Sequence, residues 1–155
     1  ERVYGDRLVS AADLRKYRTL VGELSKKMFS KFNVQKYFQD KAPEPLVFAP
    51  FSKGVHEMGD GGCYDKIKDV ERLSEILNEA MRDYDSTNPS MGLVLFEDAM
   101  KHVAKICRII SNPSGHPLLV GVGGSGRQSL SRLSTFICQS STIMIVISGS
   151  YGMNE

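Results

Sequence analysis

The stretch LLVGVGGSGRQSLSRL, Leu118–Leu133, passes from a short apolar run into glycines and then into a basic, hydroxyl-rich helical pattern. Glycines between a strand and a helix let the backbone turn sharply and bring several N–H groups onto one anion. The helix N-terminus adds roughly half a positive charge at the same spot. The stretch therefore reads as a phosphate cradle, since a tight turn alone would not need strand, glycines, cation and helix in this order.

Two phosphate motifs compete for it. Gly121, Gly123 and Gly126 satisfy G-x-G-x-x-G, the dinucleotide fingerprint. That fingerprint also expects an acidic residue about twenty positions on, to hold a ribose hydroxyl. Ser148, Gly149 and Ser150 stand there instead, and the helix opens with the bulky Arg127 and Gln128. The P-loop pattern G-x-x-x-x-G-K-[ST] fits better: Gly121 and Gly126 have its spacing and Arg127 holds its cationic position. Gln128 stands where a Ser or Thr would bind magnesium, and Ser129 comes one residue late. One step along a helix turns a side chain by about 100°, so Ser129 is an imperfect substitute.

Working outward, Leu118–Val122 and Thr142–Ile147 read as buried strands, apolar and partly β-branched. Between them a helix starts near Gly126, with Leu130, Leu133 and Ile137 facing inward. This order predicts two parallel strands joined by a right-handed crossover. Upstream, Phe96, Ala99, Val103, Ile106 and Ile110 mark an amphipathic helix, and Val70, Leu73, Leu77, Ala80 and Tyr84 mark another. The turn-rich DSTNPSMG, Asp85–Gly92, separates them and is the best candidate boundary. The proline- and glycine-rich Asp40–Tyr64 leaves room for one short extended piece, Leu46–Phe51. Before it, Ser10 and Asp13 form a capping-box pattern for a helix reaching Lys31, with Leu14, Tyr17, Val21, Leu24 and Met28 on one face. The fold class is α/β, a helical first half followed by the opening of a parallel sheet.

Composition agrees with a soluble globular chain: 155 residues, 41% hydrophobic and 25% charged. A net charge of +2 gives no footprint for nucleic acid or membrane, and SKKMFSKF, Ser25–Phe32, reads as a solvated helix face. Cys63, Cys107 and Cys138 form no pair at metal or redox spacing. Cys107 and Cys138 fall in apolar helical patterns and read as buried free thiols of a reducing compartment. The scattered histidines give metal catalysis no support. Without a signal peptide or a membrane-spanning apolar run, the chain is expected to be intracellular. It begins at ERVYGDRL and stops at SYGMNE as though cut from something longer.

LVLFEDAMKHVAKICRIISNPSGHPLLVGVGGSGRQSLSRL, Leu93–Leu133, resembles the start of the fourth AAA+ module of dynein heavy chains. GVGGSGRQSL in place of a standard P-loop is similar to the axonemal heavy chains in particular, and SGSYGMNE is similar to the segment after the next strand of that module. ERVYGDRLV and the helices to Tyr84 resemble the end of the third module with its helical lid. The resemblance covers nearly the whole chain and is looser from Phe32 to Gly62.

It implies that residues 1–86 are the helical lid region of one AAA+ module, with its helices packed together. Residues 87–155 would then be the N-terminal half of the next large subdomain. The whole would be part of an ATP-driven motor ring moving toward microtubule minus ends, cytoplasmic and cytoskeletal, in the axoneme of a cilium or flagellum. Its partners would be the neighbouring AAA+ modules and, through the rest of the protein, microtubules and other dynein chains. No nucleic acid or membrane is implied. The cofactor would be ATP or ADP, with magnesium held weakly. Gly121, Gly123, Gly124, Ser125 and Gly126 would wrap the β-phosphate and Arg127 would reach the β/γ oxygens. Gln128 occupies the magnesium position, and Ser129 would touch phosphate or the ion. Val94 and Leu95 would flank adenine, or serve only as a lead-in to a core helix. The resemblance places no catalytic or metal-ligating residue here, so the chain alone is expected to hydrolyse no ATP. A nucleotide-free structural module and a dinucleotide-binding oxidoreductase remain as alternatives.

Overall fold

A computed structural model describes residues 4–31, 47–56 and 64–145. The chain divides into two compact units, Glu1–Pro45 and Leu46–Glu155. In the first, a 3-10 turn at Gly5–Arg7 precedes α1, Ala11–Met28. Ser10 caps it as its position predicts, its hydroxyl accepting from the Ala12 N–H at 3.2 Å. The helix stops short of Lys31, closed by the Phe29 N–H on the Ser25 carbonyl at 2.7 Å. Of the expected stripe, Leu14, Tyr17 and Val21 are half-buried, whereas Leu24 and Met28 are exposed. Gly22 and Ser25 are the buried residues of α1, and the Ser25 hydroxyl donates to the Gly22 carbonyl at 2.9 Å. Lys26, Lys27 and Lys31 are exposed, as a solvated face requires.

The second unit opens with β1, Phe48–Ala49, paired antiparallel with β2, Asp65–Lys66; Phe48 faces Lys66 and Ala49 faces Asp65. This is the extended piece expected at Leu46–Phe51. Val47, Ala49 and Phe51 are buried in alternation, the two-residue period of a strand, while Leu46 lies outside the described residues. Next comes α2, Val70–Thr87, started by the Asp69 carboxylate, which accepts from the Arg72 N–H at 2.8 Å. Leu73, Ile76, Leu77, Ala80 and Tyr84 form its buried stripe, close to the one read from the sequence. Asp85 then ties the following turn, accepting from the Ser90 hydroxyl at 3.1 Å and the Met91 N–H at 3.4 Å.

Helix α3, Glu97–Ile110, buries Ala99, Met100, Val103, Ala104, Ile106 and Cys107. Helix α4, Arg127–Ile137, buries Leu130, Leu133, Ser134 and Ile137. These faces close with α2 and the β1–β2 pair into one core that includes Phe51, Val55 and Ile67. The ring of Tyr84 meets Phe136 edge-on, joining α2 to α4. The boundary expected at residue 86 therefore falls inside a packed unit. Between α3 and α4, Ser114 is left-handed at φ 58°, and a Cβ on Gly115 would run into the Ile109 carbonyl oxygen. Only glycine allows the chain to leave α3 along that path.

Leu118–Val122 and the described residues 142–145 of the expected Thr142–Ile147 are not buried parallel strands. No strand forms at 118–122 or 142–145, and Val146 and Ile147 lie outside the described residues. Leu118 is 88% exposed, Val122 80% and Ile143 91%; of the first run only Leu119 packs against the core. Apolar, β-branched composition provides propensity, but a strand exists only where its N–H and C=O groups meet a ladder partner. Among the described residues neither run has one. The sheet there is the two-residue antiparallel pair, so these residues form a mixed structure of four α-helices and a small sheet. The second run lies beside α4, through the Thr135–Thr142 hydroxyl pair at 2.7 Å and an Arg132 Nη2 contact to Met144 Sδ at 3.4 Å.

Candidate functional site

The glycine loop ends where α4 begins, and Gly126 is the hinge. It caps the helix in the left-handed region at φ 74° and has no side chain to cap the first turn. The first helical bond, Leu130 N–H to the Gly126 carbonyl at 2.9 Å, leaves the amides of Arg127, Gln128 and Ser129 before the start of the ladder. An uncapped helix terminus of this kind carries partial positive charge and suits an anion. Gly124 is also left-handed, at φ 75°. A Cβ on Gly123, Gly124 or Gly126 would meet nothing within 4 Å, so the loop is open above its backbone. Gly121 is different, because a Cβ there would lie 2.8 Å from the Ser125 hydroxyl.

Inside the loop, the Ser125 N–H donates to the Val122 carbonyl at 3.3 Å. The Arg127 guanidinium turns back and donates to the Gly121 carbonyl. The cation thus closes the loop on itself across the six-residue spacing of the motif. Beside it, α3 and the extended run form a cleft of about 390 Å³. His102, Lys105 and Arg127 line it, and no carboxylate is among the described residues that line it. Gly121 and Ser125 reach this cleft. Gln128 is exposed and Ser129 half-buried on the first turn of α4. Val94 is exposed, Leu95 packs against the core, and neither lines the cleft. The loop residues are thus brought together around one helix terminus, and the two residues expected at adenine are not joined to them.

Residues 91–155 match the family described as "P-loop containing dynein motor region D4". Across 155 residues, all of this chain, 53% are identical to the "Dynein alpha chain, flagellar outer arm" of Chlamydomonas reinhardtii. The chain belongs to the axonemal dynein heavy chains. Over 154 residues, 99% of the chain, it is 40% identical to "Dynein axonemal heavy chain 11" of Sus scrofa. Over 156 aligned residues, 100% of the chain, it is 37% identical to human "Dynein axonemal heavy chain 6". It spans 3% of the length of the first two relatives and 4% of the third. The matched motor region contains the whole glycine loop, so the family sides with the P-loop reading over the dinucleotide one.

Sequence spacing missed one grouping in this dynein segment. Cys107 and Cys138 are 31 positions apart, yet α3 and α4 set them side by side. The Cys138 thiol donates to the Cys107 carbonyl at 3.8 Å, and the Cys107 thiol to the Ser134 carbonyl at 3.7 Å. Ser111 Oγ lies 3.8 Å from Cys138 Sγ. The neighbouring Cys138 side chain raises Cys107 well above its ordinary range, with burial and the charge of a Cys138 thiolate adding to the rise. The Cys107 side chain, opposed by partial burial and helped by the Ser111 hydroxyl, holds Cys138 down to about 7. The apolar position of both cysteines in the helical patterns was the available signal, and it showed only that each faces inward. Cys63 lies outside the described residues, and among those no cluster of metal-ligating side chains occurs.

Proposed function

We propose that this chain is part of the ATP-driven motor ring of an axonemal dynein heavy chain, and that Gly121–Ser129 binds ATP or ADP in a regulatory or bracing role. In this reading residues 1–86 belong to the lid region of the third AAA+ module and residues 87–155 to the large subdomain of the fourth. The packing of α2 on α3 and α4 across the Asp85–Gly92 turn supports it, because a lid that rides on the next module needs that contact. Neighbouring modules of the same chain are the immediate partners. Microtubules and other dynein chains are engaged through the rest of the heavy chain, in the axoneme of a cilium or flagellum.

The observation that carries the nucleotide reading is the uncapped N-terminus of α4 opening on a glycine loop beside a cleft with basic lining. Backbone amides and the helix terminus serve a phosphate whatever side chain stands at residue 127, and the guanidinium adds charge-assisted bonds. Arginine offers a planar fork where lysine offers a point charge, so it does not reproduce the usual geometry. Magnesium is held weakly. A compact hydroxyl suits an octahedral shell at about 2.1 Å, and the longer Gln128 amide does not. A second reading, a nucleotide-free bracing module, is favoured by the Arg127 bond to the Gly121 carbonyl, which occupies the cation with the loop's own backbone.

Calorimetric titration of the full heavy chain with ATP, with and without magnesium, tests this after the other nucleotide sites have been inactivated. Binding that depends little on magnesium and is lost in Gly126→Val is expected. Arg127→Ala should weaken it by about 1.5–3 kcal/mol, the scale of a charged hydrogen bond. Equal affinities for the wild type and Gly126→Val would mean the loop is only a turn.

A further inference from the structure

We propose that Cys107 and Cys138 form a redox-active dithiol at the seam of α3 and α4, closed to a disulfide by peroxides. The geometry assigns the two sulfurs different roles. Cys138 follows the last residue of α4, is half-buried, and has the exposed Ser111 hydroxyl at 3.8 Å. Cys107 is fully buried in the middle of the core, with its thiol aimed at the Ser134 carbonyl. An oxidant therefore meets Cys138 first, while Cys107 waits beside it. Neither thiol has a part in the phosphate loop, so this inference stands apart from the nucleotide reading.

The chemistry balances with hydrogen peroxide as the oxidant. The Cys138 thiolate attacks one peroxide oxygen, the O–O bond breaks, and the leaving hydroxide takes a proton to become water. Cys138 is then a sulfenic acid. The Cys107 sulfur attacks the Cys138 sulfur, its thiol proton joins the departing hydroxide, and a second water leaves as the S–S bond forms. The two thiols are oxidised by two electrons and one peroxide is reduced to two waters. A low thiol pKa at the more accessible partner favours the first step, and Cys138 is held down to about 7. Immediate resolution by a neighbouring thiol protects Cys138 from irreversible oxidation.

Among the described helices, α3 and α4 share the most extensive contact. A bond from mid-core of α3 to the end of α4 would fix the helix whose other end carries Gly126 and Arg127. Oxidation at this seam would therefore restrain the element on which the glycine loop is mounted.

The test is peptide mapping of the full-length heavy chain, reduced, exposed to peroxide while folded, alkylated and digested without reductant. A Cys107–Cys138 cross-linked peptide, several-fold more abundant than any cross-link to Cys63 and removed by dithiothreitol, is expected. Peroxide treatment in denaturant should erase that preference. In Cys107→Ser the product should become a Cys138 sulfenic acid trapped by dimedone, and in Cys138→Ser the Cys107 thiol should survive the same dose. Cys138 driven to sulfinic acid beside a free Cys107 would overturn the proposal. So would both thiols remaining free at a dose that oxidises other cysteines of the chain.

Discussion

The ring of Tyr84, on α2, stands edge-on to the ring of Phe136, on α4, with centroids 5.4 Å apart and planes at 85°. The positive edge of one ring meets the negative face of the other, a preferred geometry for an aromatic pair. Tyr84 is buried and Phe136 half-buried, so the contact ties the helix before the Asp85–Gly92 turn to α4 after it. A double-mutant cycle of Tyr84→Leu and Phe136→Leu should give a coupling of about 0.5–1.5 kcal/mol in urea unfolding. Additive losses would mean the rings only fill space.

Gly115 and Gly123 should respond oppositely to alanine. The Cβ at 115 meets the Ile109 carbonyl, so Gly115→Ala should lose more than about 1 kcal/mol. At 123 the Cβ meets nothing within 4 Å, so Gly123→Ala should stay within roughly 0.5 kcal/mol of the wild type. Thermal unfolding of the two variants side by side checks the contrast.

Leu133 has no exposed surface and sits on the buried face of α4. Leu133→Ala should cost about 2–5 kcal/mol, the sum of lost transfer energy and the cavity left behind. Val94→Ala should cost little, because Val94 is 77% exposed. Similar unfolding midpoints for the two variants would contradict this core.

Thiol reactivity should separate the two cysteines by pH. Alkylation needs the thiolate, so the Cys138 rate should climb as pH rises through about 7. Cys107, raised well above the usual range and buried, should stay inert over the same interval. Cys107→Ala removes the side chain that chiefly lowers Cys138 and should move its midpoint upward. A profile unchanged in that variant would show that the Cys107 thiol is not the cause.

The helices were legible because their determinants are local. Leu73, Leu77, Ala80 and Tyr84 recur at helical spacing, and all four are buried in α2. Ser10 supplies its cap within two residues of the bond it makes. The glycine loop was legible for the same reason: Gly124 and Gly126 take left-handed angles that a side chain resists. Leu118–Val122 read as a strand on composition alone, and its neighbours in space decided otherwise, since no ladder partner stands beside it among the described residues. Likewise β2 at Asp65–Lys66 carries no apolar alternation, and pairing with β1 is what makes it a strand. Local sequence was enough to specify the four helices of the described residues, most of their buried faces and the glycine loop before α4, because each rests on interactions within a few residues. Packing between distant segments was needed to turn Arg127 onto Gly121 and to make neighbours of two cysteines 31 positions apart. Those contacts depend on the folded path of the loop and on how two helices cross, and no local pattern encodes either.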